Sequence, residues 1–200
     1  TIYRHTTYAD TDWALSQDEI DRWKSLLSTL ESENLLERFR WIFKDSYVDI
    51  VEIDKRHLGW KETFEQSCIY KYNAIAQIEQ SYGFNGICQF VKMVGCPNEV
   101  GEAYAYKADT VAYRNVLDLI LEDSEESIVS FAKGFFRHYT FRNGIDNVIA
   151  LLHSLDIKKY ETVIVIPITV APCACQSMWD YINTLPNHIQ NEDWAKLSVG

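Results

Sequence analysis

Two Asn-Gly-Ile triplets, at 85–87 and 143–145, stand 58 residues apart, and the apolar residues around them keep step at the same offset. Ala74 falls on Ala132, Ile78 on Phe136, Phe90 on Val148, Val91 on Ile149 and Val94 on Leu152. These positions recur at helical spacing on both sides of each triplet, so each copy reads as helix, short Asn-Gly break, helix. Such a unit has an apolar face that it must bury against a neighbour. Composition agrees with an all-α chain. Only 8 Gly and 4 Pro punctuate 200 residues, too few for the many turns of a sheet-rich fold. Apolar residues at 47% supply a core and exclude an intrinsically unfolded chain.

Start and stop signals place the helices. Residues 1–15 have no period and read as irregular. Ser16-Gln17-Asp18-Glu19 is a capping box, followed at helical spacing by Ile20, Trp23, Leu26, Leu27 and Leu30. A second helix is expected from about Asn34 to Lys44, with Leu35, Leu36, Phe39, Ile42 and Phe43 on one side. Tyr47 to Asp54 reads as a connection or a short turn. A long helix follows over about Trp60–Ser81, with Phe64, Cys68, Ile69, Tyr72, Ile75, Ala76 and Ile78 available for burial. The next runs from near Asn85 to Gly95, and Cys96-Pro97 starts another, because Pro suits a first turn. Asp109 or Thr110 opens a helix. Asp123, with Glu126 three residues on, is a cap for a helix over about 124–139, and Asp156 caps one more. Val163 to Val170 is β-branched, yet the register favours a helix that ends at Pro167 over a strand. The tail has a helix from Gln176 to Leu185 and a last turn, after Pro186, ending near Trp194.

The expected fold is therefore all-α, about nine to eleven helices with antiparallel neighbours in an irregular, solenoid-like stack. It is read as one domain over 1–200, with repeat copies near 66–108 and 124–166. The helix-break-helix unit resembles the α-solenoid superclass, similar to HEAT- and tetratricopeptide-like arrays, over about residues 62–166. The Trp/Leu/Gly/Tyr signature of tetratricopeptide repeats is missing, and the 58-residue offset exceeds one hairpin, so each copy would span three or four helices. Gly134 to Trp194 also looks like helical-repeat regions of large bacterial proteins, through Phe135-Phe136, Gly144-Ile145, Trp179-Asp180-Tyr181 and Trp194. The resemblance implies a sensor or scaffold beside an enzymatic domain and transfers no functional residue. A chain that starts at Thr1 and stops at Gly200 fits an excised piece of a longer protein.

Charge narrows the partners. The net charge of −10 is divided evenly between the halves, so the average field repels nucleic acid and anionic bilayers. Lys55-Arg56-His57 and Lys158-Lys159 are too short for a nucleic-acid stripe. No apolar run approaches the roughly 20 residues of a membrane span. Five Cys, an odd number at irregular spacing, with no export signal, point to free thiols in a reduced cytoplasm.

Chemical constellations are sparse. The five His form no metal-binding pair. Cys173-Ala174-Cys175 could hold a soft metal only with two further ligands, and a helix start is the simpler reading. Glycine-rich phosphate loops and a Gly-x-Ser-x-Gly elbow are missing from the sequence. Asp10 with Asp12, and Glu125 with Glu126, read as helix starts rather than acid–base pairs. The assignment is no catalytic, cofactor-binding or metal residue, and no cofactor. Six Trp and twelve Tyr are the distinctive stock. Most are expected in inter-helix packing, and the dense run Phe135, Phe136, His138, Tyr139, Phe141 is the candidate for an exposed interaction patch. The expected function is a non-catalytic scaffold or protein-interaction region, binding a protein partner or other domains of its own chain. Alternatives are an all-α enzyme domain with a Cys/His or carboxylate site in a central cavity, and a helix-turn-helix module.

Overall fold

The computed structural model describes residues 11–30 (backbone alone at 27–30), 32–46, 48, 50, 53, 58–171 and 175–191, and every regular element among them is helical. The chain divides into two compact units, Thr1–Gly95 and Cys96–Gly200.

In the first unit, α1 spans Gln17–Leu30. Its capping box forms as the sequence predicts: the Ser16 amide donates to Glu19 Oε2 at 3.0 Å, and the Glu19 amide donates to Ser16 Oγ at 3.4 Å. The stripe behind the cap is only partly buried. Ile20 is buried, but Trp23 and Leu26 stand exposed. Helix α2, Leu35–Phe39, starts where Asn34 Oδ1 accepts the Leu36 amide at 2.9 Å, and it tightens into a 3-10 turn, Arg40–Phe43. Leu36, Phe39, Ile42 and Phe43 are buried. Of the ambiguous stretch 47–54, the described Ile50 and Ile53 are buried and joined by a turn bond, Ile53 N–H to Ile50 O, at 3.2 Å.

Helix α3, Trp60–Val91, is two helices joined at a break, and α2 packs against it. The break lies at Gly83, with φ +64° and ψ −167°, a conformation that any Cβ would strain. The Asn-Gly rule places it two or three residues later. Asn85 and Gly86 instead lie inside the helix, and Gly86 is buried. The buried stripe before the break is Lys71, Ala74, Ile75 and Ile78. It begins only at the fourth turn, so Phe64 and Ile69, expected in the core, are exposed. Beyond the break Phe90 meets the edge of Phe43, centroids 5.5 Å apart.

The second unit holds α4 (Pro97–Ala105), α5 (Thr110–Glu122), α6 (Glu126–Asn143), α7 (Ile145–His153), α8 (Ile157–Tyr160), α9 (Val165–Val170) and α10 (Gln176–Ile182), then a helical stretch over 187–191. Caps appear where expected. Asp109 Oδ1 accepts the amides of Val111 and Ala112 at 2.9 Å, and Asp156 accepts that of Lys158 at 3.1 Å. Asp123 does not cap α6; it accepts the Glu125 amide at 2.9 Å, and α6 starts at Glu126. Residues 163–170 are no strand, and the helix does not end at Pro167. Pro167 is the third residue of α9, where a missing amide hydrogen is harmless. Trp194 lies outside the described residues.

Helix α6 is the hub. Residues Ile128, Phe131, Ala132, Gly134, Phe135, Phe136, Tyr139 and Thr140 are buried, and α4, α5, α7 and α9 all pack on it. Full burial of each Phe contributes roughly 2–3 kcal/mol. The closest contact is with α4. A Cβ on Gly134 would overlap the Asn98 carbonyl oxygen and come within 2.8 Å of its carbon. A Cβ on Gly101 would overlap the Phe131 carbonyl oxygen and lie 2.7 Å from the Phe135 nitrogen. The two backbones are in contact, with no side chain between them.

The helix break between α6 and α7 falls on Gly144, φ +80°, so the second triplet breaks at its own glycine. Of the five paired positions, Ala74/Ala132, Ile78/Phe136 and Phe90/Val148 are buried in both copies. Ile149 and Val94 are only partly buried, unlike Val91 and Leu152. Replacing Gly134 or Gly101 by Ala is expected to cost about 2–3 kcal/mol by overpacking. Urea unfolding would show this as a lower midpoint at unchanged slope; an unchanged midpoint would contradict the close crossing.

Candidate functional site

The run Phe135–Phe141 splits between core and surface. Phe135 and Phe136 are completely buried and Tyr139 nearly so, since the hub helix is covered on most of its circumference. The patch expected from five residues is thus reduced to His138, half-buried, and Phe141, 83% exposed. Partners come from the end of α4 and the end of α6. Tyr106 stacks on His138, centroids 6.2 Å apart, and Phe141 tilts against the same imidazole, centroids 6.3 Å apart. The Arg142 guanidinium lies 4.8 Å from the Tyr106 ring centroid. Arg137 forms an ion pair with Glu102 of α4.

This arrangement sets the imidazole's charge. Burial pulls the His138 pKa below its ordinary value; Glu102 pulls the other way, and Arg142 and Arg137 reinforce the decrease. Its Nε2 is buried without a hydrogen-bond partner among the described residues. A neutral ring is therefore favoured in the folded state. Because the folded pKa is depressed, the unfolded chain binds the proton first, so stability falls as pH drops below about 6.5. His138→Gln is expected to flatten that part of the stability–pH curve, read by thermal unfolding between pH 7 and 5. An unchanged curve would contradict the assignment.

A second polar cluster joins α5 to α8. Lys159 Nζ lies 2.5 Å from Asp118 Oδ1, and Tyr160 OH donates to the same oxygen at 2.9 Å. Burial pushes the Asp118 carboxyl up, but the hydrogen bonds from Lys159 and Tyr160 outweigh it, and the pKa is lowered. The Lys159 pKa is raised, chiefly by its bond to Asp118. Half-exposed as it is, this network reads as a tie between helices. It uses one of the two cations in Lys158-Lys159.

The core of this unit holds a third group. Tyr113 is completely buried against Phe136 and Tyr139, with centroids at 4.8 and 5.0 Å. Burial, with smaller contributions from Tyr181 and Tyr139, pushes its hydroxyl pKa well above the ordinary value. That hydroxyl has no partner among the described residues. An unsatisfied buried hydroxyl costs about 1–3 kcal/mol, so Tyr113→Phe is expected to raise stability by about 1 kcal/mol. A lower melting temperature for the variant would contradict this and show that the hydroxyl is hydrogen-bonded in solution.

In the first unit, Trp60 and Phe64 stack one turn apart on the opening of α3, centroids 5.9 Å apart and planes 13° apart. They are 80% and 55% exposed, and Ile69, Trp23 and Trp41 are also exposed. Neither Trp60 nor Phe64 was distinguishable by spacing from the core positions that follow on the same helix.

The remaining candidates are dispersed. Asp10, Lys55-Arg56-His57, Cys173 and Ala174 lie outside the described residues. Asp12 is exposed, and Glu125 and Glu126 sit exposed at the start of α6. Among the described residues no three His, Cys, Asp or Glu side chains are grouped to hold a metal, and no helix is long and apolar enough to cross a membrane. Sequence reasoning missed Glu102, Tyr106, Arg137 and Arg142. Of these, Arg137 had a signal in the spacing of four between Lys133, Arg137 and Phe141, whereas Glu102 and Tyr106 join it only through the packing of α4 on α6. Comparison with protein-family models, curated proteins and solved structures gives no match.

Proposed function

We propose that this chain is a non-catalytic helical scaffold, a protein-interaction region of a larger intracellular protein. Its helix-break-helix units would stack as an irregular, solenoid-like array. The stacked, exposed pair Trp60/Phe64 carries this reading. Large aromatic rings anchor interfaces when they can be buried by a partner, and they cost a soluble domain solubility when they cannot. The shifted ionisable groups support the same reading. Tyr113 is a core residue, Asp118 and Lys159 tie two helices through hydrogen bonds, and His138 is half-buried between aromatic rings, so burial or a structural tie accounts for each of these shifts.

Residues 1–95 carry 15 Asp and Glu against 11 Lys and Arg, leaving −4. That acidic surround favours a neutral or basic protein on the Trp60/Phe64 face, with association weakened by salt. Replacing both by Ser leaves the buried stripe of α3 untouched. Far-ultraviolet circular dichroism and melting temperature should therefore be preserved, while capture of a protein partner from lysate falls at least about tenfold. Undiminished capture by the folded double variant would overturn the assignment of this face.

A further inference from the structure

We propose that the exposed side of α6, from Lys133 through Arg137 to Phe141 and Arg142, is a docking surface for an acidic peptide segment that also carries an apolar side chain. The proposal rests on the interaction-region reading but concerns the second unit and a partner of opposite charge to the one expected at Trp60/Phe64.

Charge gives the first argument. From Ser127 to Asn143 the chain has no Asp or Glu, while Lys133, Arg137 and Arg142 contribute +3 in a protein of net charge −10. Helix geometry gives the second. Lys133, Arg137 and Phe141 are four residues apart, so they line one face, and all three are exposed. Among the described residues, Arg137 is the one of these cations that pairs with a carboxylate, that of Glu102. Arg142 makes no ion pair among the described residues. Its guanidinium carbon lies 4.8 Å from the Tyr106 ring centroid, and a guanidinium steadied on a ring still has N–H donors to offer a planar, bidentate acceptor. Phe141 supplies the apolar half of the surface, 83% exposed and steadied by contact with His138.

The occupant follows from that mixture. A carboxylate matches the fork of Arg142, and a Leu or Phe on the same segment would cover the Phe141 ring. Three cations, one already paired, give few phosphate contacts, and the acidic remainder of the chain repels long polyanions, so a nucleic acid or an anionic bilayer gains less here.

The test uses the full chain and a fluorescent peptide of Glu residues with two Phe, followed by anisotropy. Saturable binding is expected. Replacing the peptide's Glu by Gln, or making Arg142→Gln or Phe141→Ser in the protein, should each weaken it by about tenfold or more. Both protein positions are exposed, so circular dichroism and melting temperature should stay unchanged. The Trp60→Ser/Phe64→Ser variant should bind the peptide as tightly as the parent chain, which separates failure here from failure of the first surface. Four results would overturn the proposal: no saturation up to about 1 mM peptide; equal binding by the Arg142 and Phe141 variants; tighter binding of a single-stranded oligonucleotide lost in the same variants; or sedimentation showing a dimer that those variants dissolve, which would make a second copy the occupant.

Discussion

The contact on which the second unit depends is the crossing of α4 and α6 at Gly101 and Gly134. Neither position has room for a Cβ, because each faces the backbone of the other helix. Close approach brings three consequences. It places Tyr104 of α4 against Phe131 and Phe135, with centroids at 6.1 and 5.7 Å. It leaves the rest of α6 free to bury Phe136 and Tyr139 against Tyr113 of α5. It also brings Glu102 and Tyr106 alongside Arg137 and His138, which builds the surface cluster. Core and surface at this end of the unit therefore share one cause, and the hub helix spends its small residue where the neighbour is nearest.

The same helix shows how a polar surface grows out of an apolar core. Its turns carry buried Phe131, Phe135 and Tyr139 on one side and Lys133, Arg137 and Phe141 on the other. His138 sits between these sides, which is why burial dominates its titration although the ring touches the cluster at the surface. Electrostatics across α5 and α8 follow the ordinary pattern of a half-exposed pair. In the first unit the opening turns of α3 extend beyond the buried stripe and carry Trp60 and Phe64 outward.

How much of this was legible depended on whether the cause was local. Capping is local, and Ser16, Asp109 and Asp156 act as the sequence indicates. Pro97 likewise starts a helix. Pro167 misled because the same residue closes one helix or opens another, and only the position of Val165 decides. The Asn-Gly triplets were read alike, yet one breaks at its glycine and the other lies inside a helix past Gly83; a triplet does not encode which of two nearby glycines takes a positive φ. Burial of an apolar stripe needs a neighbour, so Trp23, Leu26, Phe64 and Ile69 could not be told from Ile75 and Ile78 by period. The all-α class was legible because Gly and Pro are scarce. Gly101 and Gly134 were not read as packing sites, because a glycine inside a helix does not say which backbone approaches it. The candidate surfaces were less legible: the one on α6 joins residues from two helices, and Trp60 and Phe64 differ from core positions only in lacking a neighbour.

Amide hydrogen exchange of the intact chain tests the central claim, that the α4–α6 crossing organises the second unit. If the two helices form one cooperative unit, amides of 101–105 and 131–136 should exchange together, at the slowest rates of residues 96–200 and with the free energy of global unfolding. Exchange of 101–105 through a separate, lower-energy opening, with 131–136 still protected, would contradict it and make α4 an independent attachment to the hub.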